Sequence, residues 1–170
     1  MKKIASLILC ALLLLCFCAC GSTEDDTKGN NNNLTKAADF TVFSPSGEEL
    51  RLSALLDKPI VLNFWASWCP PCKSEMPDFE KLYLEYGDKV NFVMVSVDDN
   101  MSDATAFMEK AGYTFPYYHD QTGYGSYFYD VSSIPRTYFI NKDGYIVSSC
   151  LTMITEDQLK SGIEGLLPNN

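Results

Sequence analysis

The apolar run Pro59-Ile60-Val61-Leu62-Asn63-Phe64-Trp65 stops three residues short of Cys69-Pro70-Pro71-Cys72, and a helical pattern follows at once. A run this short and this apolar suits a strand buried on both faces, in the middle of a covered sheet. The two cysteines then fall at a strand-to-helix junction. From Pro70 to Tyr86, Met76, Phe79, Leu82 and Tyr83 recur at helical spacing, which predicts a helix bent at Pro77 and ended by Gly87.

The rest of the chain alternates in the same way. Phe40 to Phe43 reads as a strand, closed by Ser44-Pro45-Ser46-Gly47, with Glu49 to Leu52 pairing back as a hairpin. Val90 to Val97 is a second central strand, and Ser102 to Ala111 a helix ended by Gly112. Phe115 to Tyr118 is a short strand and Gly125 to Tyr129 a short helix; packing against the sheet is the expected role of the aromatic stretch Tyr113 to Tyr129, with lining of a substrate groove as its alternative. Arg136 to Asn141 and Tyr145 to Cys150 are strands joined across Asn141-Lys142-Asp143-Gly144. Thr155 to Leu167 closes as a helix, with Thr155 as N-cap and Gln158 at capping-box spacing. This order predicts an α/β fold, a central mixed sheet flanked by helices.

The N-terminus is different material. Lys2 and Lys3 precede an apolar run from Ile4 to Phe17, too short to span a membrane comfortably but suited to a secretory signal. Phe17-Cys18-Ala19-Cys20-Gly21-Ser22 resembles a bacterial lipobox with Cys20 as the lipidated residue. It departs from that pattern at Phe17, where Leu is usual, and Cys16 and Cys18 stand close by. Simple secretion or an uncleaved anchor are the alternatives. Gly21 to Lys36, including Asn30 to Asn33, has no apolar periodicity and reads as a tether. The expected organisation is a signal over residues 1–19, a tether over 20–37 and a folded domain over 38–170.

Seven cysteines suggest a stapled scaffold, yet Cys10, Cys16 and Cys18 leave with the signal and Cys20 carries lipid. Cys69, Cys72 and Cys150 remain. The first of these sits where unpaired helix amides and the helix dipole favour a thiolate, and the second lies within one turn of it. Cys69 is therefore the expected attacking thiol and Cys72 the one that resolves the mixed disulfide. A zinc site needs about four ligands, against one CxxC and a lone His119. A permanent bridge between such near neighbours closes a tiny loop and stabilises little. Pro70 and Pro71 lack amide hydrogens, so few donors face the Cys69 sulfur, which predicts a modestly lowered thiol pKa and a reducing centre. Cys150, in an apolar strand, is expected to be a small buried hydrophobe. The chain carries a net charge of -9, which argues against nucleic-acid binding; neither a cofactor nor a metal is expected.

The segment Leu62-Asn63-Phe64-Trp65-Ala66-Ser67-Trp68-Cys69-Pro70-Pro71-Cys72-Lys73-Ser74-Glu75-Met76-Pro77 resembles the active-site segment of TlpA/ResA-like thioredoxin-fold proteins, and the likeness runs from about Ala38 to Leu167. The resemblance implies a thioredoxin-like fold with an N-terminal β-hairpin and a central insertion. It also implies a monomer that reduces disulfides of exported proteins, such as apocytochrome c or a methionine sulfoxide reductase. Electrons would come from a membrane thiol carrier. By the same likeness Ile134-Pro135 carries the cis-proline loop, and Trp68, Pro70, Ile134 and Pro135 are the expected substrate contacts. Arg136 departs from the Thr often found there, which points to an altered substrate preference. Glu75 matches a carboxylate near the cysteines; its alternative is a solvated first-turn Glu. Asn63 stands where thioredoxin has a buried acid. Two other functions compete, a peroxiredoxin-like reductase and a non-enzymatic surface-binding lipoprotein built on the same platform.

Overall fold

A computed structural model describes residues 33–168. The signal-like run, Cys20 and most of the tether lie outside the described residues. Eight strands form one sheet: β1 (Thr35–Lys36), β2 (Thr41–Phe43), β3 (Glu49–Arg51), β4 (Ile60–Trp65), β5 (Asn91–Ser96), β6 (Tyr117–His119), β7 (Arg136–Ile140) and β8 (Tyr145–Cys150). Their spatial order is β1-β8-β7-β4-β5-β6-β2-β3. Four α-helices accompany them: α1 (Pro70–Tyr86), α2 (Met101–Ala111), α3 (Tyr124–Phe128) and α4 (Glu156–Glu164).

Strand β4 runs parallel to β5 and antiparallel to β7, so it occupies the middle of a mixed sheet. Every residue of β4 is buried, as the apolar run predicts. Its side chains alternate between two cores. Ile60, Leu62 and Phe64 join Phe40, Val42 and Tyr138 on one face. Val61 and Trp65 join Met76, Phe79, Met108 and Leu159 beneath the helices on the other. Each such apolar side chain contributes roughly 1.5–3 kcal/mol by leaving water, far more than strand propensity supplies. Asn63 is the one polar residue in this strand, and it points to the helix side, as alternation requires.

Helix α1 covers its predicted span and is continuous across Pro77. Thr155 caps α4 with both hydrogen bonds of a capping box, as its spacing with Gln158 predicts. Between β7 and β8 the turn closes through Gly144 N donating to Asn141 O at 2.8 Å, with Gly144 at φ +79°, a conformation that suits glycine.

Two expectations need correction. The boundary at Ala38 falls inside the fold: Thr35 and Lys36 pair antiparallel with Ile146 and Tyr145 of β8. A two-residue edge strand has too little pattern to be read from sequence, because it is held by pairing with β8 and by Lys36, whose Nζ donates to Asp143 O and lies 4.5 Å from the Tyr145 ring centroid. The aromatic stretch is split. Tyr129 packs against Tyr138 with ring centroids 5.0 Å apart and donates to Ala38 O, whereas Tyr124, Tyr127 and Phe128 stay in solvent.

Gly162 in α4 approaches β7 so closely that a Cβ would overlap the ring of buried Phe139. An alanine in a helix interior gains up to about 1 kcal/mol over glycine, whereas overpacking a core costs about 1–3 kcal/mol. The ring belongs to a central strand and has little room to yield, so the steric cost wins. Gly162→Ala is expected to lower stability by about 1–2 kcal/mol in urea denaturation; a more stable variant would show that the helix shifts freely.

Candidate redox site

The site is built where β4 turns into α1. Cys69 N donates to Ala66 O at 3.1 Å, and Lys73 N to Cys69 O at 3.1 Å as the first helical bond. Cys69 is thus the N-cap of α1, with extended backbone at φ -89° and ψ 106°. Pro70 and Pro71 fill the next two positions without amide hydrogens, so the first available donor is Cys72 N, which reaches Cys69 Sγ at 3.2 Å. The sulfur therefore occupies the place of a capping hydroxyl. Cys69 and Cys72 are joined as a disulfide, with Cα atoms 5.3 Å apart. Both are buried, while Trp68 beside them is 63% exposed and Pro70 is also exposed.

The turn carrying Trp68 is pinned by a residue that motif reading passed over. Asp98, just past the end of β5, accepts from Ser67 N at 2.9 Å and from Ser67 Oγ at 2.6 Å. Its carboxylate also accepts from Ser96 Oγ at 2.7 Å. The only sequence signal was an acid at the C-terminal end of a buried parallel strand, where α/β sheets place their sites.

Across from the cysteines, the Ile134–Pro135 peptide bond is cis. Ile134 O lies 3.9 Å from Cys69 Sγ, and Pro135 is buried behind it. Arg136 follows, but its side chain does not face the opening. It is buried, with Nε donating to Ser133 O at 3.2 Å and Nη2 to Ser132 Oγ at 3.0 Å. The guanidinium straps the loop before the cis bond, so any effect on preference passes through loop shape.

Glu75 sits one turn after Cys72 and is only 2% exposed, which removes the solvated alternative. Its carboxylate accepts from Asn63 Nδ2 at 3.0 Å and from Ile154 N at 2.9 Å. Burial pushes its pKa up to about 7, with the negative charge of Asp78 adding a little and the two hydrogen bonds pulling the other way. Asn63 also donates to Thr137 Oγ1 at 3.0 Å, while its own Oδ1 is buried with no partner in the structure. A chain of polar groups thus crosses from α1 through β4 to β7 inside an otherwise apolar layer.

A groove of about 240 Å³ opens beside the redox pair, lined by Trp68, Val97, Ser126, Val131, Ser133 and Ile134 among others. A larger cleft of about 580 Å³ lies between β8 and α4, and none of the residues just described except Ile154 lines it. Cys150 faces that cleft and is half-buried, against the expectation of a fully buried thiol; β8 is covered only in part by two-residue β1.

Residues 34–149 match the AhpC/TSA family. The thiol–disulfide oxidoreductase ResA of Oceanobacillus iheyensis is 34% identical over 169 residues, covering 96% of this chain and 88% of the relative. The chain belongs to this thiol–disulfide oxidoreductase family. ResA of Bacillus subtilis agrees, at 31% identity over 93% of this chain and 91% of the relative. Among solved structures, StoA from Bacillus subtilis matches with a TM-score of 0.64 and 30% identity, over 74% of this chain and 96% of StoA. The pneumococcal exposed lipoprotein thioredoxin from Streptococcus pneumoniae matches at 0.67 and 28%, over 76% and 100%. A ResA-like oxidoreductase on a thioredoxin-like fold is therefore what the expected α/β architecture amounts to.

Proposed function

We propose that this ResA-like protein is an extracytoplasmic reductant, lipid-anchored through Cys20, with Cys69 as its attacking thiol. The observation that carries the reading is the place of Cys69: capping α1, facing Ile134 O, beside an open groove. In the reduced protein the Cys69 thiolate attacks one sulfur of a client disulfide. A bond forms between Cys69 and that sulfur, and the other client sulfur leaves as a thiolate. Cys72 then loses its proton and attacks Cys69 Sγ. The internal disulfide closes, the second client sulfur leaves, and two electrons have passed to the client.

Glu75 is the proposed proton acceptor for Cys72, since a carboxyl with a pKa of about 7 can hold or release a proton near neutrality. Trp68, Pro70 and Ile134 form the client contact surface, with Pro135 buried behind Ile134. The clients are exported proteins, with apocytochrome c and a methionine sulfoxide reductase as candidates, and electrons return through a membrane thiol carrier. Anchoring is supported by the lipobox-like Ala19-Cys20-Gly21 and by the relative described as an exposed lipoprotein. Residues 1–19 serve as the signal, and the chain from Cys20 to the first strand as the tether.

The test is a trap. Cys72→Ser leaves Cys69 able to attack but removes the thiol that resolves the intermediate. The variant is expected to accumulate a Cys69-linked adduct with exported proteins, visible on non-reducing gels and lost on reduction. Adducts that persist after Cys69 is also changed to Ser would sink the assignment.

A further inference from the structure

Arg136 is a buried charge that the redox scheme leaves unused. It is only 9% exposed, yet the ion pairs among the described residues are Arg51–Asp39, Lys81–Glu156 and Lys160–Glu85. Burying a guanidinium is costly unless its donors are satisfied, and no carboxylate satisfies them here. Neutral loop oxygens do. Nε donates to Ser133 O at 3.2 Å and Nη2 to Ser132 Oγ at 3.0 Å. Arg136 opens β7 opposite Phe64 of β4, and Tyr138, two residues on, shares its face of the sheet. Tyr138 Oη donates to Tyr129 O at 2.6 Å. Two side chains of one strand thus brace the loop, one at each end.

The brace at Ser133 decides where the next amide points. The Ser133–Ile134 peptide is trans. In a planar trans peptide the C=O and N–H point in opposite directions. The guanidinium draws Ser133 O inward, so the Ile134 N–H turns outward, and Ile134 N has no partner among the described residues. Ile134 lines the groove beside the redox pair, with its own carbonyl 3.9 Å from Cys69 Sγ. Pro135 has no amide hydrogen to offer. The Ile134 N–H is therefore an open donor on the residue that faces the attacking sulfur.

Resting on the redox reading above, we infer that Arg136 is a positioning residue: it orients the Ser133–Ile134 peptide so that the Ile134 N–H meets a backbone carbonyl beside the client's reacting cysteine. The protein thereby favours disulfides carried on a peptide chain over small disulfides with no carbonyl in that place. The planar fork does this and the charge does not, since two nitrogens in one plane hold oxygens on two neighbouring residues. A lysine brings the same charge as a point on a flexible stem and leaves the peptide plane unfixed.

The full-length protein carrying Cys72→Ser, reduced and held in lipid nanodiscs, is mixed with the disulfide-linked dimer of end-blocked Gly-Cys-Gly. Cys69 attacks one peptide sulfur, the S–S bond of the dimer breaks, and the other peptide leaves as a thiolate that takes up a proton. Mass spectrometry after acid quenching counts the adduct. Hydroxyethyl disulfide, which has no carbonyl, is run in parallel. The readout is the ratio of the two second-order rate constants, which does not depend on the fraction folded. Loss of one hydrogen bond is expected to lower that ratio roughly fivefold when Arg136→Lys or Arg136→Thr is added. Exchange of the Ile134 amide hydrogen, followed by NMR, is expected to slow when the peptide adduct forms, and to stay fast in both Arg136 variants. A ratio that Arg136→Lys leaves at its starting value assigns the effect to charge and overturns the inference. So does a ratio unmoved by Arg136→Thr, or an Ile134 amide that the adduct does not protect. If neither disulfide reacts with the Cys72→Ser protein, the redox reading itself fails.

Discussion

Cys69→Ser is expected to lower the rate of client disulfide reduction by roughly 1,000-fold or more, because a serine hydroxyl supplies neither a thiolate nor a sulfur to bond to. The loss should be chemical alone. Cys69 is the N-cap of α1 and its side chain accepts from Cys72 N, a role for which serine is among the preferred residues. Urea denaturation of the variant is therefore compared with the reduced wild type, where little difference is expected. Cys150→Ser, which alters a thiol in the separate cleft between β8 and α4, should leave the rate close to wild type. A Cys69→Ser protein that retained its cellular role would favour the surface-binding platform. Running the reduced wild type against hydrogen peroxide in the same assay addresses the peroxiredoxin-like alternative, and disulfide is expected to react faster.

Glu75→Gln is expected to remove most of a pH dependence that the wild type carries between pH 4.5 and 7. The folded pKa of about 7 stands above the ordinary 4.5, so the folded state holds the proton more tightly than the unfolded state does. The resulting stability is fully present below pH 4.5 and is lost as pH rises through 7, a difference of about 3 kcal/mol. The wild type should accordingly be less stable at pH 8 than at pH 5 by an amount approaching that figure, offset by whatever other groups contribute. Glutamine keeps the shape and still accepts from Ile154 N. The amide of Asn63 can turn over to accept from the glutamine NH2, because its Oδ1 has no partner at present. At pH 8 the variant should equal or exceed the wild type in stability. Urea midpoints of the oxidised proteins at pH 5 and pH 8 decide the matter, and equal pH slopes would show that Glu75 titrates normally. The same substitution should remove any inflection near pH 7 from the rate of disulfide exchange, which separates a proton-transfer role from a purely structural one.

Much of the frame was legible in the chain itself. The spans of α1 and β4, the turn at Gly144 and the capping box at Thr155 followed from local rules of periodicity, turn chemistry and end-capping, which act over a few residues. The redox pair was legible for the same reason, since a strand, a CxxC and a helix are contiguous. What local rules miss is anything assembled across strands. Glu75 could be read equally well as solvated or functional until Asn63 on β4 and Ile154 before α4 enclosed it. Arg136 pointed only to an altered substrate preference, and its guanidinium on Ser132 and Ser133 now gives that preference a route through the loop. Thr35 and Lys36 have no pattern of their own and are ordered by β8.

The sequence by itself determined the central strand, the junction and the two cysteines placed there, because burial of an apolar run and the capping of a helix are decided by neighbours in the chain. Only the tertiary structure decided the environment of that pair. The raised pKa of Glu75, the Asp98 clasp on Ser67, the approach of Ile134 and the outward set of the α3 rings all arise where distant segments exclude water from one another, and desolvation has no signature in sequence order.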